Sequence, residues 1–108
     1  MTRRLTVSAY RPRPGHDAAV LPHLREEVAA LRARGHITAR PATISRTREG
    51  LYLVVAEWAT EQSVNDAHAD EVILDLWRRK EQIFEYLAPA ELDGMDVPFA
   101  SFDLIEDG

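Results

Sequence analysis

The 108-residue sequence predicts an α+β fold of the ferredoxin-like kind, in the order β-α-β-β-α-β. Three observations point there. Short alternating runs flank two longer stretches whose apolar residues recur every three or four positions. Glycine and proline fall mostly between these segments. The run Leu51 to Trp58 is apolar on both sides, as a strand buried on both faces would be. The length fits one domain covering residues 1–108.

The first strand is Leu5 to Arg11, with Leu5, Val7 and Ala9 on one face and Thr6, Ser8 and Tyr10 on the other. Pro12, Pro14 and Gly15 break it. A helix follows from Asp17, a candidate N-cap, to Arg34. Leu21, Leu24, Val28 and Leu31 form its buried stripe, Pro22 is awkward in it, and Gly35 stops it. The second strand is Ile37 to Arg48, with Pro41 marking an edge or a bulge. Glu49-Gly50 turns the chain into the third strand. Thr60 caps a short helical stretch to Ala69. Asp70 caps a longer helix to Leu87, with Ile73, Leu76, Trp77, Ile83, Phe84 and Leu87 on one face. Pro89 ends that helix, and Phe99 to Ile105 is the last strand. The expected sheet has four antiparallel strands with helices on one face. Its other face needs cover, and a second copy of the sheet is the economical source, so a homodimer is expected.

Composition narrows the function. Hydrophobic residues make up 45% of the chain, which excludes a disordered protein. There is no cysteine, so disulfides, zinc–thiolate sites and thiol catalysis are excluded. No apolar run approaches the ~20 residues of a membrane span. The N-terminus leads into an alternating segment and not a secretory apolar run, so the expected location is cytoplasmic. Thirteen bases against eighteen acids give a net charge of −5, which repels phosphate and argues against a nucleic-acid partner. The charge is uneven: residues 1–50 carry ten arginines against four acids, and residues 51–108 three bases against fourteen acids. Neither half holds five like charges in a row, so attraction between the halves, or between protomers, is the preferred reading.

Candidate chemistry centres on His68, just after the third strand where a helix meets the sheet. An imidazole can take a proton from an activated phenol or enol near neutral pH. A lone histidine with no visible acid or nucleophile partner is equally at home packed at that junction. Trp58 and Trp77 can wall an aromatic ligand, and Tyr10, Tyr52 and Tyr86 can offer hydroxyl groups. Both tryptophans also suit a core. Arg40 and Arg46 share a strand face and can bind an anionic group or simply be solvated. His16 and His23 lie seven apart on one helix, roughly 10 Å, beyond shared metal reach, so no metal site is expected. Phosphate loops and serine elbows are absent.

The segments Tyr10-Arg11-Pro12-Arg13-Pro14-Gly15, Ala56-Glu57-Trp58-Ala59-Thr60-Glu61 and Ala67-His68-Ala69-Asp70, with Trp77 beyond them, resemble the antibiotic biosynthesis monooxygenase-like family. The resemblance spans about Leu5 to Leu104. It implies a dimeric α/β barrel with a small-molecule pocket in each protomer. Some members oxygenate aromatic polyketides without metal or flavin, so no cofactor is expected; others degrade haem. The haem-degrading pattern departs here: the single asparagine, Asn65, is not on the first strand, and Trp77 stands where the haem-ligating histidine belongs. Taken with the residue reading above, the resemblance gives a scheme with His68 as base, Trp58 and Trp77 as walls and Tyr10 or Tyr52 as orienting donor; Arg40 is a further substrate contact on the residue reading alone. The same strand order builds RNA-recognition domains, but Gly50-Leu51-Tyr52-Leu53-Val54 lacks their basic residue and aromatic ladder. A non-catalytic homodimer that binds a small ligand is the other reading the residues allow.

Overall fold

The computed structural model describes residues 2–107. The chain runs β1 (Arg4–Pro12), α1 (Asp17–Ala33), β2 (Thr43–Arg46), β3 (Tyr52–Trp58), α2 (Ser63–His68), α3 (Glu71–Ile83), β4 (Phe84–Leu87), a 3-10 turn (Pro89–Glu91) and β5 (Asp103–Asp107). The strands form one antiparallel sheet in the order β4-β1-β3-β2-β5. Its first four members give the ferredoxin-like α+β arrangement, and β5 is added outside β2.

Two expectations about strands are corrected. The fourth ferredoxin strand is Phe84–Leu87, not Phe99–Ile105, so the sheet has five strands and α3 stops at Ile83. Phe-Glu-Tyr-Leu fits the tail of a helical stripe, yet it also alternates apolar and polar and is aromatic-rich. The open edge of β1 decides between the two. Pro12 pairs with Phe84 and Tyr10 with Tyr86, and the Phe84 ring is fully buried against Tyr10 at 4.5 Å between centroids. The second strand is shorter than expected: Ile37 makes only an isolated bridge to Trp58, and regular pairing begins at Thr43, beyond Pro41. The segment 103–107 then covers β2, with a register shift between Ile44 and Ser45.

Helix ends follow local chemistry. Asp17 is the first helical residue and caps nothing; its carboxylate instead takes a hydrogen bond from Arg46 at 2.9 Å. Gly35 closes α1 with φ +79, the His36 N–H donating to Leu31 and the Gly35 N–H to Arg32. This left-handed closure is strained for any side chain with a Cβ. Asp70 does cap α3, accepting from the Val72 N–H at 3.1 Å. Its other oxygen accepts from Arg34 and from His36 Nε2, joining the end of α1 to the start of α3.

Both sheet faces carry apolar side chains. On the helical side, Val20 and Leu24 pack on Tyr10, Ile44, Tyr52, Val54 and Phe84, while Leu31, Ile73 and Leu76 pack near Trp58. On the other side, Leu92, Met95 and Phe102 of the chain after β4 cover Ala9 and Leu51 at one end. The rest of that face is open, with Leu5 65% and Leu104 60% exposed. Among the described residues no helix is long and apolar enough to cross a membrane.

The hydrogen bonds from Arg34 and His36 hold the Asp70 carboxyl well below its ordinary 3.8. The unfolded chain therefore takes up this proton first as pH falls. The Asp70 contribution is complete above about pH 5 and is lost as pH drops through the ordinary Asp range. We expect wild-type melting temperature to fall more steeply than that of Asp70→Asn between about pH 5 and pH 3. Parallel acid slopes in calorimetry would remove Asp70 from the account.

Candidate functional site

The alternation of β1 turns Thr6, Ser8 and Tyr10 toward the helices, the reverse of a simple apolar-inside strand. Three hydroxyl groups therefore enter the layer between sheet and helices. A cavity of about 580 Å³ lies there, bounded by this face of β1, Trp58 of β3, His68 of α2 and Trp77 and Lys80 of α3. Glu27 of α1 and Tyr86 of β4 complete it. The cavity is more apolar than polar, and its polar groups are held in place. The Trp58 Nε1–H donates to Thr6 Oγ1 at 2.8 Å, and the Thr6 hydroxyl reaches the Ala56 carbonyl at 3.4 Å.

His68 is the last residue of α2. Its Nδ1 lies 2.7 Å from the Val64 carbonyl oxygen. A carbonyl only accepts, so Nδ1 carries the proton in the neutral ring and the Nε2 lone pair is free. The imidazole meets Trp77 edge-on at 4.8 Å. That tautomer is the one a general base needs, and the ring is exposed at the cavity wall.

The opposite wall is a buried ionic network. Lys80 is only 2% exposed. Its Nζ donates to Tyr10 Oη and to Glu27 Oε1, each at 2.9 Å. The same Glu27 oxygen accepts from Trp77 Nε1 at 2.9 Å. The ammonium also lies 4.3 Å from the Tyr10 ring centroid and 5.2 Å from that of Tyr86. Burial disfavours the charged amine, but the Tyr10 oxygen and the Glu27 carboxylate outweigh it and hold the Lys80 pKa above its usual value. Burial pushes the Tyr86 phenol up as well, with Lys80 opposing.

Four of the expected site residues, His68, Trp58, Trp77 and Tyr10, therefore meet at one cavity. Two stand elsewhere. Tyr52 is 4% exposed in the core under α1, where burial raises its pKa and the Arg46 guanidinium lies 5.2 Å from its ring. Arg40 donates to Glu57 at 2.9 Å, and Glu57 shares the open sheet face with Leu5. The bend at Ala39–Arg40 carries Arg40 to that side. Of the other histidines, His23 is buried beside Phe84 and burial lowers its pKa, while His36 is bound to Asp70. Among the described residues no three His, Cys, Asp or Glu side chains are grouped to hold a metal ion.

The model of the antibiotic biosynthesis monooxygenase family matches residues 5–79. The chain belongs to this family. No curated protein and no solved structure matches it. The family match covers β1 to most of α3, and so takes in His68, Trp58, Trp77, Tyr10 and Glu27. It ends one residue before Lys80.

Glu27 and Lys80 escape a reading of the sequence that looks for imidazoles and aromatics. A signal was present: Lys80, the only lysine, falls in the helical stripe between Leu76 and Ile83, and Glu27 falls between Leu24 and Leu31. Charged residues at core positions of two helices are candidates for pairing. Breaking a buried pair leaves its partner unpaired, at a cost of about 3–5 kcal/mol. Lys80→Met is expected to lose stability of that order in urea denaturation, and adding Glu27→Gln is expected to restore part of it. Additive losses in the double variant would show that the two groups are not coupled.

Proposed function

We propose that this family member binds a flat hydroxylated aromatic in the cavity and oxygenates it with O2, without a cofactor. The supporting observation is that His68, with Nε2 free, and the indoles of Trp58 and Trp77 open on one cavity of about 580 Å³, a size suited to a ring-fused ligand. Nε2 removes a proton from a CH2 group activated by the adjoining phenolic or keto rings. The carbanion passes one electron to O2, and the carbon radical and superoxide combine to form a C–O bond. The imidazolium protonates the resulting peroxide anion. Nε2 then takes the second C–H proton as the O–O bond breaks; hydroxide leaves and collects that proton from the imidazolium. The sum is CH2 plus O2 giving C=O plus water, with His68 returned to its starting state. The largely apolar walls favour charge transfer by keeping water from the carbanion.

His68→Ala is expected to lower oxygen uptake on such a substrate by about 10²–10⁴-fold, with the melting temperature unchanged. An undiminished rate would remove His68 from the chemistry. Saturable ligand binding without oxygen uptake by the wild-type protein would instead assign the cavity to carriage.

We further propose that the protein is a homodimer paired through the open sheet face. Leu5, Val7, Leu104 and Ile105 are exposed there, and Leu53 and Val55 are half-buried beside them. A contiguous apolar sheet face of this kind is costly in water and is met in interfaces. Sedimentation of the wild-type protein at micromolar concentration is expected to give twice the chain mass. The double variant Leu5→Glu, Val7→Glu is expected to sediment as a single chain with unchanged circular dichroism. A wild-type monomer at that concentration would dispose of the dimer.

A further inference from the structure

The cavity holds a buried cation that acid–base chemistry at His68 does not use. For packing alone, a hydrophobic residue of similar volume at position 80 would serve at least as well as an ion pair. The amine is nonetheless kept charged, fixed in position and part of the cavity wall.

An ammonium has three N–H donors. Tyr10 Oη and Glu27 Oε1 take two of them. The remaining side meets the Tyr86 phenol, which hydrogen-bonds the amine, beside the buried Phe84 ring; Tyr86 itself is 57% exposed at the cavity rim. A ligand oxygen reaches that side by taking the place of the Tyr86 hydroxyl, whose residue stands at the rim and not in the core. Tyr10 adds a second donor. Its oxygen accepts from Lys80, so its own O–H is free to donate, and among the described residues it meets no acceptor. The Glu27 oxygen is already held by both Lys80 and Trp77, so its charge is compensated within the wall. Arg78 and Glu81 lie on the same cavity, and their opposite charges leave Lys80 as its one buried cation among the described residues.

We infer that Lys80 and Tyr10 form an oxyanion-binding pair that takes the ligand as its phenolate or enolate oxygen. Trp77 and Glu27 stand between this pair and His68, so the base works at one end of the cavity and the anion is held at the other. Charge formed by proton removal at His68 is then received through the conjugated rings by donors already in place, which require no reorganisation. The inference rests on the cavity being the ligand site and does not depend on oxygenation.

The test uses para-nitrophenol, whose phenolate and phenol differ in visible absorption, and nitrobenzene as a neutral isostere. Spectroscopic titration of nitrophenol bound to the wild-type protein is expected to give a pKa at least one unit below that of the free dye, about a tenfold preference for the anion. Tyr10→Phe is expected to reduce the shift. The double variant Lys80→Met, Glu27→Gln removes the amine without leaving a buried carboxylate unpaired. It is expected to abolish the shift while nitrobenzene affinity changes by less than threefold. An unshifted or raised bound pKa, no saturable nitrophenol binding, or a full shift in the double variant would overturn the inference. A protein that shifts the dye but takes up no oxygen on hydroxylated aromatics bearing an activated CH2 would refute the oxygenase reading and leave the oxyanion pair standing.

Discussion

The ion pair between Lys80 and Glu27 joins the two long helices across the floor of the cavity, and Tyr10 carries the connection into the central strand β1. Two charges removed from water demand good geometry, because desolvation cancels much of their attraction. That demand sets the relative placement of α1, α3 and β1 to within hydrogen-bond tolerance. The same contacts orient Trp77 through its Nε1–H, and Trp77 in turn meets the His68 ring. The network thus runs from the buried amine to the exposed imidazole, and the cavity is the space along its length.

A second constraint is the inverted polarity of β1. Its hydroxyl-bearing residues face the helices, and Leu5 and Val7 face outward. Hydroxyl groups inside the layer need partners, and Trp58 supplies one to Thr6 and Lys80 one to Tyr10. The outward apolar residues need cover, which the segment around Leu92 and Phe102 gives only to one end of the face. One alternation accounts for both a polar-lined cavity and an apolar open surface. The cavity and the open apolar face are thus the two sides of a single strand.

The uneven charge of the chain finds its use within the fold. Arg11 pairs with Glu85, Arg25 with Glu106, Arg34 with Asp70, and Arg3 and Arg40 with Glu57. Each joins a base of the first half to an acid of the second. Most are exposed and individually weak. Arg11–Glu85 and Arg25–Glu106 favour closing β4 and β5 onto opposite edges of the same sheet.

Local chemistry read from the sequence alone determined the helix over α1, its glycine stop, the Asp70 cap and the unpolarised third strand, and it picked out His68, Trp58, Trp77 and Tyr10 by residue type. Each is settled by period, capping or residue type over a few neighbours. The ends of α3 and β2 were not legible in that way. Phe84–Leu87 satisfies helical and extended patterns alike, and only the free edge of β1 selects the strand. Tyr52 and Arg40 carry suitable groups, but the register of β3 and the bend at Ala39–Arg40 direct them to the core and to the other face. The pairing of Lys80 with Glu27 joins residues 53 positions apart. A sequence can mark each as a charge in an apolar stripe; their meeting depends on how two helices cross on the sheet, which only tertiary packing decides.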